Sequence, residues 1–472
     1  MNDLIQLIQF LSDDEVGGFL AFAKARTKRT DTKNIDLFHL LKAGVRTGLD
    51  EKIYGKTNKN ALYALKNRLK QSLVDFIAIH AFENGHKVQM TTLRLLLASR
   101  VLLENGSYKL GFATLSKTEQ LCGEADLFTV RHEVYLTWLE YSHHSKKLDI
   151  EAISERFLYN KKLMAQSDQI SLLFAKHKNL PATAYDLSKY RESTKVIKID
   201  ASLGFKSLLE LLELYTDAAS QAGSYQLIIN EINAIETVFN QKSRPKYDST
   251  HYRDVKILIA FSRYRLLEFK QAKSYLHELL NEVDERSTSY LRLIIIDALC
   301  ECFTGHLDEA LDLLSKIKNP QMDAQCVRAM CYLLKNEPQQ SLRHLNKLRH
   351  TDAYYSKSYT QSIIIKKNLL LLLIYIDLGN VNLIESQHRR LQKDFKSIKK
   401  HEEQRIVQFI KLALSIYNNP DSGMNESIKE QVDQLVLSNN PEDVFAITFY
   451  AWLRARASQS DFYGILLGLV RS

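Results

Sequence analysis

The feature that most constrains this chain is a spacing. Between Asp254 and Arg349 three pairs of small residues recur, each pair twelve positions apart: Ala260/Ala272, Ala298/Ala310 and Ala329/Ser341. A polar turn separates the members of each pair. Apolar residues follow four and seven positions beyond the second member: Leu276 and Leu279, Leu314 and Ile317, Leu345 and Leu348. Two antiparallel helices joined by a tight turn approach closely only where the facing side chains are small. A small residue late in one helix and another early in the next meets that need, and the larger residues beyond it continue the buried stripe of the second helix. One such pair cannot bury its apolar face alone, so the recurrence predicts neighbours stacked on either side.

The first members lie 38 and 31 residues apart (260 to 298, 298 to 329), which straddles the roughly 34-residue period of tetratricopeptide repeats. Gly305-His306-Leu307-Asp308-Glu309-Ala310-Leu311 resembles the Gly-x-x-x-Glu-Ala turn and second-helix start of that family. Leu267-Glu268-Phe269-Lys270-Gln271-Ala272 is similar without the glycine, and fainter echoes occur at Gly106-Ser107-Tyr108 (with Ser99/Gly111 as the small pair), Gly223-Ser224-Tyr225 and Gly379-Asn380. The resemblance covers patches between 90 and 380 and is densest over 254–349. It implies an all-α fold, a superhelical array of antiparallel helix pairs (an α-solenoid), with the first helix of each pair lining a groove that binds a partner protein or peptide. Carried over by register from Ala260 and Ala298, the groove residues would be Ile257, Phe261, Tyr264, Arg265, Arg292, Ile295 and Phe303. The family's carboxylate-binding subtype has Lys and Asn where this chain has Ile257 and Phe261, so capture of a chaperone tail is not expected.

Composition agrees with helix throughout: 16 glycines and 6 prolines in 472 residues, with Leu, Lys, Glu and Ala abundant. Pro181, Pro245, Pro320, Pro338, Pro420 and Pro441 fall where helical patterns stop or restart, and Asn440-Pro441-Glu442-Asp443 reads as a helix start. The expected organisation is a basic N-terminal helical module over 1–85, degenerate helical repeats over 86–250, the best-defined repeats over 251–350, and C-terminal repeats with a cap over 351–472. Within the module, Leu4 to Leu11 forms a short helix and Ser12-Asp13-Asp14-Glu15 a capping box. A third helix spans Ile35 to Val45. A polar loop with Gly48 and Gly55 then leads to a long helix from Asn58 to Glu83 with Leu62, Leu65, Leu69 and Phe76 on one face. Tyr135, Trp138 and Tyr141 read as core aromatics, Ser386 to Lys400 as a cationic helix, and the segments from Asn440 and Asp461 as terminal helices that close the array.

Charge is concentrated at one end. From Lys24 to Lys70 thirteen Lys and Arg face four acids, a balance of +9 that equals the net charge of the whole chain (64 − 55). Two readings stand beside each other. A small module can simply be soluble through a Lys-rich outer face. Alternatively Lys24, Arg26, Lys28, Arg29, Lys59, Lys66, Arg68 and Lys70 contact phosphates or an acidic partner, which would make the protein a nucleic-acid-associated regulator. The dozen residues between the helices near 35–45 and 58–83 are too many for a helix-turn-helix turn.

No catalytic residue, cofactor site or metal site is expected. Gly55-Lys56-Thr57 lacks the first glycine of a phosphate-binding loop, Asp50 standing there, and His132-Glu133 meets Leu136 where a zinc-protease motif needs His. Cys122, Cys300, Cys302, Cys326 and Cys331 form no framework and suit small buried thiols in a reducing compartment. The N-terminus carries no secretory pattern, and the apolar run Leu369 to Ile376 is too short to span a bilayer. The expectation is a non-enzymatic, cytoplasmic protein–protein interaction scaffold that does not enter membranes, its partner and oligomeric state left open.

Overall fold

A computed structural model describes residues 2–26, 32–84, 88–145, 148–181, 185–245, 250–283, 285, 287–317, 321–359, 361–394, 400–418, 426–437 and 444–471. Among these the fold is all-α, with no strand. The chain divides into two compact units: Met1–Met164 with Pro245–Asp248, and Ala165–Arg244 with Ser249–Ser472.

The first unit begins with α1 (Asn2–Phe10), α2 (Asp13–Arg26), α3 (Lys33–Lys42), α4 (Leu49–Tyr54) and α5 (Lys59–Asn84). These helices share a core built on Phe19, Phe38, Leu41, Leu65, Leu69 and Leu73. The capping box forms as its sequence implies. Ser12 N–H donates to Glu15 Oε2 at 2.7 Å, and Glu15 N–H donates to Ser12 Oγ at 3.3 Å. The stretch read as a polar loop holds α4 instead, framed by Gly48 (φ 64°) and Gly55 (φ 70°) and anchored by the buried Leu49. Asp50 Oδ2 accepts the Asn58 N–H at 3.1 Å, and Asn58 Oδ1 in turn accepts the Ala61 N–H at 3.0 Å, which starts α5.

A second core in the same unit gathers α6 (Val88–Glu104), α7 (Tyr108–Glu124), α8 (Phe128–Tyr141) and the beginning of α9 (Ile150–Lys178). Tyr135 and Trp138 are buried there, Trp138 stacked on Phe112 with ring centroids 5.2 Å apart. Ser99 and Gly111 form the tight crossing of α6 and α7: a Cβ on Gly111 would lie 2.7 Å from the Leu103 side chain.

The second unit continues from α9 through α10 (Leu187–Thr194), α11 (Phe205–Ala222), α12 (Ile229–Gln241), α13 (Thr250–Arg265), α14 (Phe269–Leu280), α15 (Thr288–Thr304), α16 (Leu307–Ser315), α17 (Met322–Leu334) and α18 (Pro338–Leu345). It ends with α19 (Asp352–Tyr355), α20 (Gln361–Asp377), α21 (Val381–Asp394), α22 (Lys400–Asn418), α23 (Glu426–Leu437), α24 (Val444–Ser458) and α25 (Phe462–Arg471). The cationic helix expected over 386–400 is α21, which starts five residues earlier and ends at Asp394. Lys396, Lys399, Pro320, Pro420 and the Asn440–Asp443 helix start lie outside the described residues.

Consecutive helices pair, α13 with α14, α15 with α16, α17 with α18 and α20 with α21, and the first helix of each pair also touches the first helix of the next. All six small residues of the three pairs are fully buried. Their spacing of twelve has a local cause. Seven residues after the first member the chain takes positive φ: Gly106 (77°), Leu267 (62°), Gly305 (107°) and Asn336 (60°). The next N–H closes back onto the carbonyl five residues earlier, Ser107 to Leu102 at 2.8 Å, and Glu268 to Arg263, His306 to Glu301 and Glu337 to Tyr332 each at 2.9 Å. The second member then donates the first hydrogen bond of the new helix, as Ala310 N–H does to His306 at 3.1 Å. In α17/α18 the contact is direct, because Ser341 Oγ donates to the Ala329 carbonyl at 2.6 Å. Gly379 (φ 68°) repeats the turn between α20 and α21, with the buried Leu372 and Ile384 in the places of the small pair.

The turn geometry fixes the sign of two substitutions. Gly305→Ala places a Cβ at φ 107° and lowers stability by about 1–2 kcal/mol. Asn336→Gly relieves an exposed residue held at φ 60° and raises stability by up to about 1 kcal/mol. Urea unfolding of the two variants beside the parent chain measures both.

Candidate functional site

α15 and α17, two of the helices to which the repeat resemblance assigns a groove, are met by later helices of the chain. α15 and α17 are buried on nearly every side, the pattern of a helix sandwiched between layers. Their second helices, α16 and α18, cover one side. From the other, α24 and α25 cross back: Tyr463 Oη donates to the Cys302 carbonyl at 2.7 Å, and Thr448 Oγ1 meets Met330 Sδ at 3.4 Å. Trp452 Nε1 donates to Asp377 Oδ2 at 3.1 Å, and the Arg456 guanidinium holds both oxygens of that carboxylate at 3.0 and 2.8 Å. The terminal helices do more than close an end, because they pack on helices more than a hundred residues earlier.

Six of the seven residues expected to line the groove are buried or half-buried. Tyr264 (6% exposed), Ile295 (7%) and Phe303 (3%) are core residues, and Phe303 stacks on Phe269 with centroids 5.6 Å apart. Ile257 and Phe261 are half-buried and pack on the same core, Phe261 edge-on to Tyr225. Arg265 is half-buried over the Tyr225 ring at 4.9 Å. Of the seven, Arg292 alone is exposed.

Lys59, Lys66 and Lys70 fall on one side of α5, whereas Arg68 is half a turn away at 100° per residue. Lys70 Nζ is paired with Asp3 Oδ2 at 3.2 Å. Lys24 is exposed near the end of α2; Lys28 and Arg29 lie outside the described residues, as does the side chain of Arg26.

A depression of about 750 Å³ opens where the connection after α18 meets the start of α17. Lys347, Arg349 and His350 line it together with Tyr354, Tyr355 and Tyr359. His350 stacks on Tyr354 with centroids 4.0 Å apart. No ion pair of Lys347, Arg349 or His350 occurs among the described residues. The acids on the lining elements are already engaged. Asp323 accepts from Tyr359 Oη at 3.0 Å, and Asp352 accepts from Lys367 and Arg390, each at 2.6 Å. The described lining is therefore basic and aromatic; Asp352 is paired with Lys367 and Arg390, while Asp323 accepts only the neutral Tyr359 hydroxyl. The depression's signal in the sequence is Lys347 to Tyr359, which the repeat register passes over.

Three further clusters bear on chemistry. His177 is buried between Tyr190 Oη (2.6 Å) and Asp217 Oδ2 (2.8 Å). That arrangement orients a base, but Tyr190 is buried too and gives it no open face. All five cysteines are buried and unbonded, and burial pushes the Cys122 and Cys326 thiols up to about 12, which keeps them protonated. Third, His277 on α14 stands beside Asp297 and Glu301 on α15, with one ligand-capable atom of each within 4.8 Å of the others. No metal was expected from the sequence. The available signal was the Asp-x-x-x-Glu spacing of Asp297 and Glu301, which puts both carboxylates on one helix face. No described helix is long and apolar enough to cross a membrane.

Beside the depression, His344 stacks on Tyr332, and burial, helped by Lys347, Arg328 and Arg343, lowers its pKa from 6.5 to about 4. Between those pH values the unfolded chain binds a proton that the folded chain refuses, so stability falls as pH drops through that window. His344→Gln flattens this part of the stability–pH curve, measured by urea unfolding at closely spaced pH values.

No protein-family model matches the chain, and no curated protein sequence does.

Proposed function

We propose that this protein is a non-enzymatic interaction scaffold whose docking point is the depression at Lys347–Tyr359, and that it receives an acidic segment of a partner protein. The observation that carries this reading is a depression lined by Lys347, Arg349 and His350, which make no ion pair among the described residues, together with Tyr354, Tyr355 and Tyr359. Arg349 supplies a forked donor for a carboxylate, Lys347 a mobile ammonium, and the exposed ring of Tyr354 a rigid apolar contact. Aromatic and arginine side chains in a concavity are where binding energy concentrates. The regular turns and small-residue crossings support a tetratricopeptide-like scaffold around it. Binding in the inner groove of such an array is disfavoured, because six of the seven residues expected there are buried or half-buried.

Phosphate binding by the first unit is the weaker reading: Lys70 is neutralised by Asp3, and Arg68 points away from Lys59 and Lys66. The test is fluorescence polarisation of the full chain with Glu/Asp-rich, neutral and Lys-rich peptides at low and high salt. Acidic peptides bind best, salt weakens them, and Lys347→Glu with Arg349→Glu costs about tenfold or more in affinity. Equal binding of all three peptides, or affinity untouched by the double variant, overturns the reading.

A further inference from the structure

We infer that His277, Asp297 and Glu301 form a binding site for one borderline divalent cation, of which Zn²⁺ is the best match. The three residues come from facing helices: His277 from the last turn of α14, Asp297 and Glu301 from successive turns of α15. A ring nitrogen of His277 and one oxygen from each carboxylate already lie within 4.8 Å of one another, so a single ion reaches all three with small side-chain rotations.

The observation that lifts this cluster above ordinary acidic pairing is the state of Asp297. It is 2% exposed, and its Oδ1 is buried with no hydrogen-bond partner. A buried carboxylate oxygen left without a donor is costly, and an ion at the cluster would supply the partner it lacks. Glu301 differs, since Lys273 Nζ lies 2.6 Å from its Oε1 and His306 Nδ1 3.2 Å from its Oε2. Binding an ion requires Glu301 to release one of these contacts, and His306, which is exposed, is the easier one to displace.

Donor chemistry selects the ion. One imidazole nitrogen and two carboxylate oxygens suit zinc and its neighbours better than magnesium or calcium, which prefer all-oxygen shells. His277 is exposed, so the outer side of the ion is open to water, as in zinc sites with three protein ligands.

The experiment uses the full chain, stripped with chelator and titrated with ZnCl₂ by calorimetry, with Co²⁺ visible absorption as a second readout of the ligand shell. The expected result is uptake of one equivalent, a higher melting temperature, and a Co²⁺ d–d band typical of low coordination number. His277→Ala weakens uptake at least about tenfold, since even outer-shell changes cost that much, and Asp297→Asn does the same. His277 is exposed, so its variant stays folded and decides the matter even where Asp297→Asn does not. Absence of stoichiometric uptake, or uptake that His277→Ala leaves unchanged, overturns the site.

Discussion

Everything in the second unit depends on how closely two helices approach across a turn. The approach is set by residues with almost no side chain: Ala260 against Ala272, Ala298 against Ala310, Ala329 against Ser341. The backbone turn sets which residues those can be. A left-handed residue seven positions after the first small one reverses the chain, and the first hydrogen bond of the new helix forms five positions later. Glycine suits that position, yet Leu267 occupies it once at φ 62°. Its side chain packs on the core, and that burial offsets a conformational cost of about 1–2 kcal/mol.

Close crossings make the first helices central and the second helices peripheral, and this determines where charge can be tolerated. The buried charges of the unit are placed on partners. Arg328 donates to the Leu314 and Ile317 carbonyls and so caps the end of α16 with a cation. Arg263 reaches Glu236, Glu268 and Asn233, and Lys256, 2% exposed, reaches Glu278 at 2.5 Å. Asp377 is clamped by Arg456 and Trp452. Removing one partner from such a set leaves a buried charge uncompensated, which costs more than the pair itself contributes. Against this pattern Asp297 is anomalous, because the cations near it are spent on Glu301 or lie further off.

What could be read from the sequence was the local part. The small pairs, their turns, the capping box at Ser12 and the separate core of α1–α5 follow from residues within a few turns of one another, where periodicity carries the information. The fold-back of α24 and α25 joins Tyr463 to Cys302 and Thr448 to Met330, and no repeat period encodes so distant a contact. A hint existed in composition. Ile294-Ile295-Ile296 and the run from Phe445 to Leu453 are apolar around the whole helix, which requires cover on both sides rather than a solvent-lined groove. The repeat register gave Ile295 and Phe303 an open face, whereas both are buried, Phe303 against Phe269 of α14.

The depression lies where the repeat is interrupted. The connections from α14 to α15 and from α16 to α17 span 281–287 and 316–321, whereas α18 to α20 takes 346–360 and inserts α19. The regular connections are short enough to be consumed in bringing the next pair into register. The longer one has residues to spare, and it exposes Lys347, Arg349, His350 and Tyr354 instead of burying them. A connection freed from packing is where a scaffold can carry chemistry without weakening its array. Asp352 at the start of α19 shows how the insert is held. It binds Lys367 and Asn368 of α20 and Arg390 of α21, so the insert is tied to two consecutive helices while its basic edge stays open. If an acidic segment docks there as proposed, a base tied in this way would lose little entropy, and that pre-organisation, more than contact area, would set the affinity.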